Sequence, residues 1–277
     1  MKRYLVTGGL GHIGSHVVDA LIDRGDEVVI VDNLLTGVRE HKHPKAELVE
    51  CSVADICEHE RIRAQQFDGV FHLAAFSNVR TSTEHPLKAN QHGANLTVAA
   101  LELCKQMKIP KMVFISSVVV EYNPYIPYGI EKDAGERYCR HYEKHHGINV
   151  SIIRLQSVYG SPRHAAASGN VIPSFIDQKK RLGKITISGD GSQTRDFVYY
   201  TDIVAAILEA EYRTGTTEVG SCVGNSILEV AKYFECPIEF TGKAKGEIDQ
   251  QVSTRSDYPI TVPFKEGIHR VVNEIEK

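Results

Sequence analysis

The chain of 277 residues carries 32 Lys and Arg against 35 Asp and Glu, a formal net charge of −3, which offers no basic footprint for nucleic acid. No apolar run reaches the roughly 20 residues that span a bilayer, so no membrane partner is expected. Hydrophobic content of 42% and charged content of 24% suit an ordinary globular protein with one large domain, or one large and one small.

The N-terminus opens directly into a strand, which predicts no signal peptide and a cytoplasmic protein. Six cysteines, Cys51, Cys57, Cys104, Cys139, Cys222 and Cys236, form no CxxC pair. Their scatter suits reduced thiols.

Residues 2–6 (KRYLV) read as a short buried strand. The run TGGLGHIG at 7–14 follows, then a helix over 15–24 with Val17, Val18, Leu21 and Ile22 on one stripe. Gly25 stops it, and 27–31 (EVVIV) is a second buried strand that ends at Asp32. Strand, glycine turn, helix, strand and acid form the order of a dinucleotide-binding unit. The glycines permit a tight turn and a close approach of backbone to a pyrophosphate. The helix N-terminus then offers N–H groups and a positive dipole end. Asp32 can accept hydrogen bonds from adenosine ribose hydroxyls and would repel a 2′-phosphate, which selects NAD over NADP.

Further strands are expected at 48–51, 69–73 (GVFHL), 111–116 and 150–155, with long helices at 87–107 and 128–146. The alternation predicts an α/β fold with a doubly wound parallel sheet. Beyond 155 the pattern is mixed. It suggests a strand at 184–188, a turn at Gly189-Asp190-Gly191 and a helix at 201–211 capped by Thr201 or Asp202. From 214 onward, short apolar runs and turn residues predict a smaller lid against the sheet's C-terminal edge, where open α/β sheets bind ligands. The expected division is 1–160, with 190–212 returning to it, and 161–277.

Tyr128 and Lys132 form YxxxK at helical spacing, so both can face one ligand. A phenol titrates near 10. A nearby ammonium, together with a cationic nicotinamide, would lower that value and make a general base. Ser116-Ser117 closes the preceding strand, where a hydroxyl can hold the same substrate oxygen. His141 and His145 are an i, i+4 pair, but no third ligand accompanies them and no metal is expected.

The motifs TGGLGHIG, VDNLLTG, the Asp55 turn, HLAA, Asn90-x-x-Gly93, FISS and YGIEK occur in an order that resembles the extended short-chain dehydrogenase/reductase family. IIRLQSVYG, NVIPSF, GDGSQTRDFVYYTDI and EVGS resemble its nucleotide-sugar epimerase/dehydratase branch. The resemblance covers about the first 225 residues, and the last fifty match weakly. It implies a Rossmann domain with a smaller nucleotide-sugar-binding domain. Gly8, Gly11 and Gly14 would line the pyrophosphate, with His12 and Ile13 supplying backbone. Asp32 and Asn33 would hold the adenosine ribose, and Asp55 and Ile56 the adenine. Leu73, Ala74, Ala75, Asn90 and Ser116 would lie beside the cofactor. Ser117, Tyr128 and Lys132 would be the catalytic trio, with Tyr128 and Lys132 also touching NAD. Ser117, Ser157, Asn170, Val171, Arg195 and Tyr199 would meet the sugar nucleotide. The guanidinium fork of Arg195 suits a diphosphate; its other reading is an ion pair with Asp196 or Asp202.

The implied reaction inverts C4 of a nucleoside-diphosphate sugar through a 4-keto intermediate, in a homodimer joined by the two long helices. A 4,6-dehydratase, a 4-keto reductase and a non-catalytic NAD-binding regulator are the alternatives. The chain also departs from the family pattern. Val118 and Val119 stand where dehydratases carry Asp-Glu. The segment between Ser117 and Tyr128 is short, so the pocket should be more open or completed from elsewhere. Ser157 replaces an Asn that contacts substrate phosphates. The C-terminal phosphate-binding Arg has no match, which leaves Lys243, Lys245 and Arg255 as basic candidates.

Overall fold

The computed structural model describes residues 1–161, 163, 170–243 and 248–275. Its first half alternates β1 (Arg3–Thr7), α1 (Gly14–Asp23), β2 (Glu27–Asp32), β3 (Glu47–Glu50), α2 (Glu60–Arg63) and β4 (Gly69–His72). Then come α3 (Val79–Glu84), α4 (Pro86–Gln91), α5 (Ala94–Met107), β5 (Lys111–Ser117), α6 (Val119–Tyr122), α7 (Pro127–His146) and β6 (Asn149–Leu155). The second half holds β7 (Ser157–Tyr159), α8 (Val171–Leu182), β8 (Ile185–Ser188), β9 (Thr194–Tyr199), α9 (Tyr200–Glu209) and β10 (Gly215–Val219). It ends with β11 (Gly224–Ser226), α10 (Ile227–Lys232), β12 (Ile238–Thr241), β13 (Gln250–Gln251) and α11 (Phe264–Ile275).

A seven-stranded sheet in the order β10-β6-β5-β4-β1-β2-β3 is parallel throughout. Its central strands are near-continuous apolar runs because helices cover both faces. On one face α1 and α9 bury Val17, Val18, Leu21, Ile203 and Ile207. On the other, α5 and α7 bury Leu101, Leu103, Cys104, Cys139 and Tyr142. All six cysteines are free thiols. The doubly wound parallel sheet expected from the alternation is therefore the fold, and its strand ends gather the chemistry along one edge.

A second layer centres on β9, which pairs with β7 and β13 in parallel and with β11 antiparallel; β8 and β12 form a separate pair. Its core holds Tyr159, Phe175, Phe197, Tyr199, Phe234 and Ile268. No helix among the described residues is long and apolar enough to cross a membrane.

The fold departs from the sequence expectation in three places. The helix expected at 87–107 is broken between α4 and α5. At Gly93 the Glu131 side chain occupies the space of a Cβ, at 2.4 Å. Glu131 also accepts hydrogen bonds from Asn90 Nδ2 (2.9 Å) and the Ala94 N–H (2.8 Å). A long-range carboxylate thus terminates one helix and starts the next. Second, α9 begins at Tyr200 and gives way to a 3₁₀ turn, Ala210–Tyr212. Asp202 does not cap it. Its carboxylate instead accepts from the N–H groups of Thr261 and Val262, each at 3.0 Å. Third, 215–219 is not lid but the edge strand β10, in register with 151–155 of β6. Residues 200–219 therefore belong to the main layer, past the boundary expected at 212.

Candidate active site

The β1–α1 turn is held by backbone contacts that exclude side chains. Gly8 has φ +69, and a Cβ there would lie 2.8 Å from the Ala74 nitrogen. One on Gly14 would lie 2.1 Å from the Gly8 oxygen. The Gly8 N–H donates to Val31 O (2.8 Å) and the Gly11 N–H to Gly8 O (3.1 Å). No side chain caps α1 at Ile13, which leaves the start of the helix and the adjoining His12 backbone as a place for an anion. These features fit a dinucleotide pyrophosphate.

Asp32 is buried, with 6% exposure. Its carboxylate accepts from the Leu10 N–H (3.0 Å) and the Leu34 N–H (2.9 Å), so it ties the glycine turn to the next loop. Each oxygen keeps a further lone pair for a ribose hydroxyl. Asn33 is exposed, and its Oδ1 accepts from the Leu35 N–H at 3.1 Å. Asp55 and Ile56 sit in a 3₁₀ turn, Val53–Glu58, with Asp55 exposed and Ile56 wholly buried. The Ile56 side chain belongs to the core, so only its backbone is available to an adenine.

At the end of β4, the Leu73 N–H donates to Thr7 O (3.1 Å) and the Ala74 N–H to Thr7 Oγ1 (3.3 Å). Leu73, Ala74 and Ala75 are half-buried beside the glycine turn. Thr7 Oγ1 is joined to His72 Nδ1 (2.7 Å), and His72 Nε2 to Thr97 Oγ1 on α5 (3.2 Å). Burial pushes the His72 imidazole down to about 3, so it is neutral. This chain of side chains was not foreseen, because its members lie far apart in sequence.

Tyr128 stands on the first turn of α7 and Lys132 one turn on. Lys132 Nζ lies 5.9 Å from the Tyr128 ring centroid. It donates to Ile115 O at 2.6 Å and sits 5.1 Å over the Phe114 ring. Ser117, at the end of β5, lies close enough to the Tyr128 side chain to favour its phenolate and accepts from the Val119 N–H at 3.3 Å. The expected lowering of the phenol by Lys132 is not what the protein alone shows. Burial pushes Tyr128 up to about 12, with Ser117 pulling the other way. Burial also pushes the Lys132 ammonium down to about 8. Removing a phenolate from water costs more than a lysine aimed at a backbone carbonyl returns.

Ser116 Oγ, expected beside the cofactor, donates instead to Glu136 Oε1 at 2.6 Å in the interior. Asn90 is held by Glu131, as above. On the substrate side, Ser157 begins β7 and is half-buried; Asn170 is exposed at the start of α8, followed by half-buried Val171. Arg195 is half-buried on β9 and donates to Thr194 O at 2.8 Å. The two acids considered for it are engaged elsewhere: Asp196 by the Ser221 (2.9 Å) and Cys222 (3.0 Å) N–H groups, Asp202 by the α11 approach. Tyr199 is buried, its ring 5.4 Å from Tyr159 and 5.6 Å from the Arg270 guanidinium. It packs in the second core. Lys243 pairs with Asp249 and Arg255 is exposed. Lys245 lies outside the described residues.

The short segment between Ser117 and Tyr128 forms α6, and the Tyr122 hydroxyl donates to Val252 O. Gln156 Nε2 donates to Ser253 Oγ at 2.7 Å, and Ser253 to Glu218. The stretch 250–253 is thus tied down over the edge of the main sheet by residues that the sequence did not single out. No local signal marks them, because each bond spans a long chain separation. Among the described residues no group of three or more His, Cys, Asp or Glu could hold a metal. A cavity of about 360 Å³ lined by Arg3, Glu27, Glu47 and Gln65 opens at the opposite edge of the sheet, away from these groups.

A dinucleotide cradle with a Ser–Tyr–Lys set at the adjoining strand end defines an NAD-dependent short-chain dehydrogenase/reductase of the extended type. Residues 4–215 match the model of the NAD dependent epimerase/dehydratase family, and the chain belongs to that family, with NAD as its cofactor. A putative UDP-glucose 4-epimerase of Methanocaldococcus jannaschii is 35% identical over 97% of each chain. The structure of UDP-glucose 4-epimerase from Thermotoga maritima with UDP-glucose superposes with a TM-score of 0.93, 28% identity, and coverage of 99% of this chain and 98% of that one. UDP-glucuronic acid decarboxylase 1 of Arabidopsis thaliana is 29% identical over 98% of this chain and 69% of its own.

Proposed function

We propose that the protein is an NAD-dependent 4-epimerase of a nucleoside-diphosphate sugar, with a UDP-hexose as substrate. The observation that carries this reading is what accompanies the Ser117–Tyr128–Lys132 set. Val118 and Val119, the next two positions, are buried to 0% and 2% exposure. Aliphatic core residues exchange no proton, so a dehydratase or decarboxylase step that needs an acid there is disfavoured. The names of the M. jannaschii and T. maritima relatives support the same reaction and a UDP sugar.

Tyr128 accepts the proton of the sugar 4-hydroxyl and returns it after the keto sugar has turned over. Ser117, beside Tyr128, holds the same oxygen and fixes its approach. Lys132 would hold the nicotinamide ribose, and its charge opposes retention of the proton on Tyr128. The dinucleotide, when bound, supplies reversible hydride acceptance at C4. Gly8, Gly11, Gly14 and Asp32 would hold its pyrophosphate and adenosine. Arg195, Ser157, Asn170 and Val171 would meet the sugar nucleotide. The assembly proposed is a cytoplasmic homodimer through α4, α5 and α7, where Leu87 (80%), Ile130 (50%) and Tyr138 (45%) are exposed.

The test is to incubate NAD-loaded protein with UDP-glucose, UDP-GlcNAc and their C4 epimers, and to follow products by NMR. Interconversion of one C4 pair is expected. Loss of water, or no conversion of any of them, would overturn the proposal.

A further inference from the structure

We propose that Glu136 is a positioning residue for the Tyr128 step: locked to β5 and β6 by Ser116 and Arg154, it supplies the negative charge that keeps buried Lys132 an ammonium. The inference rests on the epimerase reading for its catalytic consequence, though not for its electrostatic core.

Tyr128, Lys132 and Glu136 are spaced four apart on α7, so they share one face. That face is pressed on the sheet: a Cβ on Gly135 would meet the Phe114 ring at 2.8 Å. Glu136 and Lys132 are each 7% exposed. Glu136 Oε1 accepts from Ser116 Oγ (2.6 Å) and Arg154 Nε (2.9 Å), and Oε2 from Arg154 Nη2 (2.7 Å). The carboxylate is therefore fixed on the face of α7 that carries Lys132, one turn further along, without itself pairing with the ammonium.

The groups around Lys132 leave Glu136 as its counter-charge. From α7 come Tyr128, protonated at neutral pH, and Cys139, whose thiol burial pushes up. From β4 comes neutral His72. From β5 come the Ile115 carbonyl and the Phe114 ring. Glu136 is the largest influence that holds the ammonium charged against its burial. Arg154 on β6 offsets that influence only in part, because it is shared with Glu121 on α6 and also faces Glu218 on β10.

The experiment reads the Lys132 Cε signal by NMR against pH in NAD-free protein carrying ¹³C-lysine, assigned with Lys132→Met. In the wild type the midpoint should lie near 8. In Glu136→Gln it should fall by about one pH unit or more, the scale for loss of a close opposite charge, and the alkaline limb of turnover should move down with it. Glu136→Asp should restore most of the midpoint. Arg154→Met should move it the other way, since the carboxylate is then left facing Lys132 alone; this variant decides the matter if Glu136→Gln does not fold. A midpoint unmoved in the folded variants, or moved in the same direction by Glu136→Gln and Arg154→Met, would overturn the proposal. Because the midpoint is read without substrate or NAD, this result stands apart from whether the protein is an epimerase.

Discussion

Tyr128 and His72 show how burial sets proton chemistry one residue at a time. Tyr128 is held near 12 by its surroundings, so its use as a base depends on charges that favour the phenolate. Tyr128→Phe removes one oxygen while the ring still packs. Folding and NAD binding should survive, and turnover should drop by about a hundredfold or more, the scale of general acid–base assistance. Lys132→Met should cut turnover and also weaken NAD binding, because Lys132 is assigned to the ribose. Near wild-type turnover in Tyr128→Phe would remove the base from the scheme. His72 gives a prediction with a definite sign. Its folded value of about 3 lies below its ordinary 6.5, so between those limits the unfolded chain binds more protons. Its stabilising contribution is complete above 6.5 and is lost as pH falls toward 3. Unfolding free energy should therefore decline by up to about 1.4 kcal/mol per pH unit from this group alone. Urea titrations of wild type and His72→Gln across that range should show a shallower slope in the variant. Equal slopes would mean that His72 is not held neutral.

At the scale of elements, the β1–α1 turn is the least forgiving. A Cβ on Gly14 would sit 2.1 Å from a backbone oxygen of Gly8, and backbone cannot rotate away as a side chain can. Gly14→Ala should cost about 1–3 kcal/mol, as overpacking does elsewhere. It should also weaken NAD binding about tenfold or more, since each 1.4 kcal/mol of lost contact is a factor of ten. Calorimetry with NAD and a urea midpoint would report both losses. An unchanged affinity would show that the turn does not hold the pyrophosphate. The same turn was legible in the sequence because its glycines, flanking strands and Asp32 lie within one continuous stretch. The break between α4 and α5 was not. Gly93 alone reads as a weak interruption, and the Glu131 that makes it a helix boundary comes from another element.

For the whole molecule, the proposed homodimer rests on what α4 and α7 leave uncovered. Leu87, Ile130 and Tyr138 are large apolar side chains on helices that flank the sheet. Light scattering should report a homodimer at micromolar concentration. Ile130→Glu should shift it to monomer, by placing a charge in an apolar contact. A monomeric wild type would count against the dimer. The two layers are joined through β7 and β9 on one side and by the ties from Tyr122 and Gln156 to 250–253 on the other. The short segment after Ser117 thus reaches its partner in the last part of the chain, where the sequence suggested only a pocket more open or completed from elsewhere.

The sequence by itself determined the parallel α/β order, the glycine turn with its acid, and the shared helical face of Tyr128 and Lys132. Each depends on periodicity or spacing within a few residues of chain, and local backbone geometry is enough to express it. The tertiary structure alone decided that 215–219 extends the main sheet, that Tyr199 is core, and that Ser116 serves Glu136. It also decided that the phenol is raised and the ammonium lowered before any ligand arrives. Strand partners, burial and desolvation are sums over neighbours brought together from distant parts of the chain, and no local pattern carries that sum.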